Sequence, residues 1–294
     1  MARGLISRLI NDPPPQYVFE LSEAGVSVAR LDPKAPPRAG FQPVPPGTIS
    51  VSPVRDNVLH MDGLAAAIAA FAPRNGKRAR AVLILPDFSV RVSVLDFDSF
   101  PAEAEQQRSL VRFRIRKSLP FDVDSASLSY YAQPNGKKWD VVVAVAPVEI
   151  LARYEAPFRA AGFHPGIVTT SSLCALEMAR GEGVSVMAKL SGRTLTLAVV
   201  AAGVLKLHRA IELSGTDPAE VASHLFPTFA YMEDQLNARP ERVLVCGFGP
   251  HTQEIWSEIG REVDAEAEPL RSRFGAPEQH NAGLFGYLES AQEA

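Results

Sequence analysis

The sequence is poor in the residues that form disulfides or bind metals. It contains two cysteines, Cys174 and Cys246, both within apolar runs, and its six histidines show no spacing typical of metal ligands. A disulfide framework needs more cysteines, and a structural zinc site needs further cysteine or histidine ligands. We therefore predict two buried, reduced thiols and no metal site.

A strong excess of one charge is also missing. The chain has 30 lysines and arginines and 33 aspartates and glutamates, which gives a net charge of −3. Proteins whose main partner is a nucleic acid usually present a strongly basic surface. The composition therefore argues against nucleic acid as a partner.

Long apolar runs are missing as well. No run approaches the roughly 18 residues of a membrane-spanning helix, and residues 1–11 lack the apolar core of a signal peptide. These features predict a soluble, cytoplasmic protein. Leu5, Ile6, Leu9 and Ile10 leave two interpretations of the amino terminus open: a flexible tail before three prolines, or a short amphipathic helix that touches a membrane or a partner.

The residues that are present predict an α/β protein with two similar halves. Apolar residues make up 46% of the chain, which is enough for a substantial core. Residues 17–21 and 26–31 have the pattern of a β-hairpin, and from Gly183 three further strands are predicted at 184–190, 194–200 and 204–211. Helical patterns follow in both halves.

One segment between the halves carries two conflicting signals. Residues 111–116 alternate between apolar and basic, which by itself indicates a strand, but Pro101 followed by two glutamates indicates the start of a helix. We predict a helix that ends at Pro120. Arg108, Arg112 and Arg116 then form one stripe, which we interpret as a solvated face, with a contact surface as the alternative.

Several short motifs resemble the PilM family of type IV pilus assembly proteins, which has the actin-like ATPase (ribonuclease H-like) fold and a cell-division relative, FtsA. The motifs are Leu119-Pro120-Phe121-Asp122 followed by Leu128-Ser129-Tyr130, then Ala161-Gly162-Phe163-His164-Pro165, His208-Arg209-Ala210-Ile211 and Phe229-Ala230-Tyr231. The resemblance spans nearly the whole chain. It implies a flexible tail (1–16), a first half (17–80 and 146–182), an inserted strand–helix–strand–strand subdomain (81–145) and a second half (183–294).

The resemblance also implies where a nucleotide would lie. In this fold, phosphates sit between two hairpins, one from each half, and adenosine is held by a Gly-Gly turn. Glycines let backbone amides approach the phosphates, and an acid from each half helps to position the metal. The corresponding residues here are Glu20, Ser22 and Gly25, then Lys189, Ser191 and Gly192, and finally Gly247, Phe248 and Gly249.

These three sets depart from the family pattern in different ways. The first hairpin has lost its glycine and lysine, and Lys189 places a cation where an acid is expected. Phe248 between two glycines is expected to crowd the base. We therefore expect no catalytic residues, no ATP hydrolysis and no resident cofactor, although Lys189 could still meet a phosphate. We also expect Glu20 and Lys189 to approach within salt-bridge distance.

The resemblance implies a non-catalytic cytosolic scaffold at the inner membrane. PilM-like proteins capture the amino-terminal peptide of the single-pass membrane protein PilN between the first half and the insert, and other pilus assembly proteins are further expected partners. Membrane contact is expected only through partners or the amino-terminal segment. Two alternatives stay open: a nucleotide-binding actin-like ATPase or switch, and the L-type cytosolic component of a type II secretion system.

Overall fold

The computed structural model describes residues 15–32, 34–73, 78–262 and 266–292. The amphipathic helix considered for residues 1–11, and most of the predicted tail, lie outside these ranges.

The described residues form thirteen strands and seven helices. The strands are β1 (Tyr17–Ser22), β2 (Gly25–Asp32), β3 (Ala35–Pro43), β4 (Ala79–Leu85), β5 (Arg91–Phe97), β6 (Ala126–Asn135), β7 (Lys138–Pro147), β8 (Phe163–Thr170), β9 (Val184–Ser191), β10 (Thr194–Ala201), β11 (Val204–Glu212), β12 (Arg242–Cys246) and β13 (Glu266–Pro269). The helices are α1 (Met61–Ala69), α2 (Ala104–Ile115), α3 (Val148–Ala160), α4 (Ser171–Ala175), α5 (Pro218–Tyr231), α6 (Thr252–Glu262) and α7 (Ala282–Gln292).

Two five-stranded sheets share one topology. The first has the strand order β3-β2-β1-β4-β8, and the second has the order β11-β10-β9-β12-β13. In each sheet the first three strands run antiparallel, and the remaining two are added in parallel. The same order and directions in both sheets confirm two related halves.

The strand β4, which lies between β1 and β8, explains how the first half is packed. Leu83 and Leu85 face a core that includes α1 and α3, whereas Val82 and Ile84 face α7 on the other side of the sheet. A strand that is covered on both faces has a nearly continuous apolar sequence instead of an alternating one. Residues 81–85 show this pattern, and the buried strand predicted there is confirmed.

The insert is a three-stranded sheet, ordered β5-β7-β6, with α2 on one face. The helix prediction for this segment is confirmed, because Val111 and Ile115 are buried one turn apart against Val141 and Val143. The strand-like alternation was misleading at Phe113, whose side chain is exposed. The opposite face of the sheet, which includes Val142, joins the core of the first half.

Two predicted domain boundaries are wrong. Strand β4 pairs with β1 and β8, so residues 81–85 belong to the first half and the insert begins after them. Helix α7 lies within the predicted second half, but it packs on the first. Its residues Leu284, Tyr287 and Leu288 share a core with Val18 and other residues of the first sheet, because that face of the sheet needs an apolar cover.

The two cysteines are buried and unbonded to each other, as predicted. Burial raises the pKa of both thiols, that of Cys246 to about 12. Both thiols therefore stay protonated at neutral pH and are poor nucleophiles.

Candidate functional site

Glu20 and Lys189 occupy equivalent positions in the two halves. Glu20 lies in β1 and Lys189 in β9, the middle strands of the two related sheets. Both side chains are buried. A buried charge is costly unless it is paired or hydrogen-bonded, so the partners of these two groups define the site.

Asp87 is the partner of Lys189. It lies in a short 3-10 turn, Asp87–Ser89, directly after β4. The distance from Lys189 Nζ to Asp87 Oδ2 is 3.0 Å, and each side chain is 1% exposed. The same carboxylate accepts hydrogen bonds from Thr196 Oγ1 at 3.0 Å and from the Ser172 backbone N–H at 2.7 Å. Both charges are therefore well compensated.

The pKa values of this pair favour the charged forms. Burial by itself raises the pKa of Asp87, but Lys189 and the hydrogen bonds from Ser172 outweigh it and lower that pKa. Burial by itself lowers the pKa of Lys189, but Asp87 and Glu20 outweigh it and raise that pKa. The pair is therefore an ammonium and a carboxylate at neutral pH.

The hydrogen bonds to the Glu20 carboxylate come from two helices of the first half and not from Lys189. Its Oε1 accepts a hydrogen bond from Ser171 Oγ in α4, and its Oε2 accepts one from the Leu284 N–H in α7 at 2.7 Å. Burial raises the pKa of Glu20 more than the nearby Lys189 lowers it. The predicted salt bridge between Glu20 and Lys189 is wrong, because Asp87 takes the ammonium.

A serine and a histidine from different halves meet beside this pair. Ser172 Oγ lies 2.8 Å from His208 Nε2, and both side chains are buried. Burial lowers the pKa of His208, although Asp87 partly opposes this, so the imidazole is neutral. Sequence reasoning missed the contact, because Ser172 and His208 are 36 residues apart. It serves as a polar link between the halves.

Gln279 connects the second hairpin to the glycine turn. Ser191 Oγ donates to the Gln279 carbonyl at 2.6 Å, and the Gly192 N–H donates to Gln279 Oε1 at 3.2 Å. Gln279 Nε2 donates to the Gly247 carbonyl at 2.7 Å. Three of the nine predicted site residues are therefore held by one glutamine, which sequence reasoning did not identify because it lies in a segment without periodicity.

The first hairpin is also occupied by the protein's own groups. Ser22 Oγ bonds with both the N–H and the carbonyl of Gly25 at 3.2 Å, and Ser27 Oγ donates to the His280 carbonyl at 2.7 Å. Gly25 is needed because an added β-carbon would lie 2.3 Å from the Gln42 carbonyl oxygen. The hairpin is therefore closed on itself and on the segment that carries Gln279.

The turns of the two hairpins touch each other. A β-carbon added at Gly192 would lie 2.6 Å from Glu23 Oε2, so this carboxylate rests against the second hairpin. Glu23 Oε1 accepts a hydrogen bond from the Val51 N–H at 3.3 Å. The Glu23 carboxylate therefore lies between the two hairpins, where the resemblance implied a phosphate.

The glycine turn differs from its prediction in one respect. Gly247 has a φ of +85°, and its backbone packs against the Leu190 carbonyl so closely that no β-carbon fits. Phe248 points into the core of the second half with Val186 and Ile255. The expectation that its ring crowds the base site is wrong. Gly249, with a φ of +54°, has open space around it.

Comparison with known proteins gives a consistent result for the fold. No protein-family model and no curated protein matches the sequence. Among solved structures, the chain is similar to the PilM–PilN type IV pilus biogenesis complex, with a TM-score of 0.74 and 16% identity over 95% of this chain and 98% of that one. The chain has the actin-like ATPase fold.

Two further solved structures agree with this fold. A Bacteroides thetaiotaomicron protein with an actin-like ATPase fold has a TM-score of 0.59 at 13% identity, covering 93% of this chain and 96% of that one. The cytoplasmic domain of EpsL, an inner membrane component of the Vibrio cholerae type II secretion system, has a TM-score of 0.54 at 12% identity, covering 95% and 94%. Among the described residues, no helix is long and apolar enough to cross a membrane.

A magnesium-bound nucleotide, which the actin-like fold implies, does not fit the groups present at this site. The Gly192 amide is bonded to Gln279, Lys189 is bonded to Asp87, and Glu23 would repel a phosphate. The polar groups of this site therefore bond to other groups of the protein.

Proposed function

We propose that this chain is a non-catalytic scaffold of a type IV pilus assembly machine. The observation that carries the proposal is Gln279, which bonds to both predicted nucleotide-binding turns of the second half. A nucleotide would have to displace this residue and separate Lys189 from Asp87. Breaking a buried ion pair is costly, so the cleft favours its empty, closed form.

The proposed partner is the amino-terminal peptide of a PilN-like, single-pass inner-membrane protein. The likeness to the PilM–PilN complex supports this choice, since it extends over nearly all of both chains. A fixed arrangement of the two halves and the insert suits a docking platform, because a rigid site loses less conformational entropy on binding. With such a partner, the chain would work at the inner face of the membrane, together with other pilus assembly proteins.

Two calorimetric titrations test the proposal. The first adds ATP and Mg²⁺ to the purified chain, and we expect no binding heat. The second adds a synthetic peptide that corresponds to the cytosolic tail of a PilN-like protein from the same genome, and we expect saturable one-to-one binding. Ordered nucleotide with hydrolysis would overturn the non-catalytic role, and failure of the peptide to bind would overturn the proposed partner.

A second candidate is the L-type cytosolic component of a type II secretion system. It is supported by the likeness to the EpsL cytoplasmic domain, which covers 94% of that domain at a lower TM-score of 0.54. The same titration separates the candidates, with cytosolic peptides of type II secretion membrane proteins as the competing ligands. Tighter binding of those peptides would favour the second candidate.

A further inference from the structure

Helix α2 carries an exposed aromatic side chain, and cations lie before and after it along the sequence. Phe113 is 72% exposed, the highest value among the exposed large apolar side chains of the described residues. Five cations lie on α2 and the turn that follows it: Arg108, Arg112, Arg114, Arg116 and Lys117. We call the five cations and Phe113 the α2 patch.

The α2 patch has a net positive charge. Arg112 and Arg116 share the carboxylate of Asp124, and Arg114 lies 3.8 Å from Asp96. Two carboxylates therefore compensate five cations only in part. Among the described residues, Arg108 and Lys117 have no carboxylate partner. Glu105, in the first turn of α2, lies three residues before Arg108 and about 12 Å along the axis from Phe113, so its charge acts on Arg108 and not on the aromatic ring.

The patch is the outermost layer of the insert. One face of the insert sheet, with Val141, Val143 and Val145, packs on α2, and the other face joins the core of the first half. The outer side of α2 therefore points away from both halves and from the closed cleft.

The composition of the patch fits a lipid surface better than a protein. A stable protein interface usually buries about 800 Å² on each partner and needs several apolar anchors. The patch offers one aromatic ring on a convex helix. An anionic bilayer needs no preformed pocket, because a ring can enter the headgroup region while the surrounding cations meet the phosphates.

We propose that the α2 patch binds anionic phospholipid surfaces, with Phe113 inserted at headgroup depth and Lys117, about one turn further along the same side, on a lipid phosphate. This contact is additional to any partner peptide and does not involve the nucleotide cleft.

Vesicle sedimentation tests the proposal. The full chain is mixed with phosphatidylcholine vesicles, with or without about 30% phosphatidylglycerol, at about 0.1 M and about 0.5 M salt. We expect binding only to the anionic vesicles and only at low salt. Phe113→Ser, and separately Lys117→Glu, should each weaken binding about tenfold or more.

The control is Phe226→Ser, because Phe226 is 40% exposed on α5 of the second half, away from α2. It should bind like the parent protein. All proteins retain residues 1–14, so equal binding by the α2 variants would assign the contact elsewhere and overturn the proposal. The proposal would also be overturned if the parent protein bound no vesicles, or if it bound equally well with and without phosphatidylglycerol.

Discussion

Lys189 of the second half and Asp87, directly after β4 of the first half, form a buried ion pair across the boundary between the halves, with 3.0 Å between Nζ and Oδ2. Thr196 bonds to the same carboxylate, and Ser172 bonds to His208 beside it. Directional polar contacts therefore join the halves at the base of the cleft. Such contacts specify one relative orientation more narrowly than apolar packing alone.

Removing the cation of this pair should be strongly destabilising. Lys189→Met leaves Asp87 buried without its counter-ion, and we expect the free energy of unfolding to fall by about 3–5 kcal/mol. Chemical denaturation measures this change. Combining Lys189→Met with Asp87→Asn should cost less than the sum of the two single changes.

The surface pair Arg239–Glu233 provides the comparison, with side chains 76% and 53% exposed. Arg239→Met should change the free energy of unfolding by less than about 1 kcal/mol. Equal losses of unfolding free energy in Lys189→Met and Arg239→Met would mean that water reaches the Lys189–Asp87 pair.

Glu20 should make stability fall as pH rises. Its pKa in the folded protein lies above the ordinary value of 4.5, because the carboxyl is buried. The folded state therefore holds a proton that the unfolded state releases, and stability decreases from about pH 4.5 up to the folded pKa. The glutamine of Glu20→Gln has nearly the same shape and can form hydrogen bonds, but it does not titrate. The free energy of unfolding of this variant, relative to that of the parent protein, should therefore rise as the pH increases through that window.

Denaturation curves at several pH values measure this difference. Glu149→Gln is a suitable control, since Glu149 is exposed in the first turn of α3. It should follow the pH dependence of the parent protein. A Glu20→Gln profile parallel to the parent would show that Glu20 is charged in the folded state.

Gln279→Ala should loosen the turns that it connects. The change removes two side-chain hydrogen bonds, to the Gly192 amide and the Gly247 carbonyl. We expect faster amide hydrogen exchange at residues 191–193 and 247–249, with a stability loss of about 1–3 kcal/mol. Gln253→Ala on the exposed face of α6 should change neither quantity. Unchanged exchange at both turns would contradict the connecting role of Gln279.

Gly286→Ala should force α7 away from α4. A β-carbon at Gly286 would lie 2.1 Å from the Cys174 carbonyl oxygen and 2.8 Å from the Ala175 Cα, so backbone must move. We expect a loss of at least about 1–3 kcal/mol in thermal or chemical unfolding. Gly166→Ala is the matched control, because nothing lies within 4 Å of its added β-carbon. Similar stabilities of the two variants would contradict the close helix contact.

The local features of the fold were predictable from sequence because their causes are local. The hairpin of β1 and β2, and the three strands that open the second half, follow from alternation and turn residues. The helix α2 was predicted correctly because its start signals outweighed the alternation of residues 111–116. The strand β13 was missed, since Glu266–Pro269 is short and not apolar.

The site was predictable only where it follows the fold. Placing Glu20 and Lys189 at equivalent positions required the two halves to be recognised. Their real partners were not predictable, because Asp87 lies 102 residues from Lys189 and no local pattern joins them. Gln279 lies 87 residues from Gly192 and 32 residues from Gly247, and its segment has neither periodicity nor a motif.

The return of α7 to the first half has a consequence for biosynthesis. The first sheet is made early, but one of its faces is covered by Leu284, Tyr287 and Leu288. Until α7 has left the ribosome, Val18 and Val82 stay open to water and to other chains. The first half of the molecule is therefore expected to be among the last parts to become fully native, and chaperones that shield apolar surface should bind the nascent chain there.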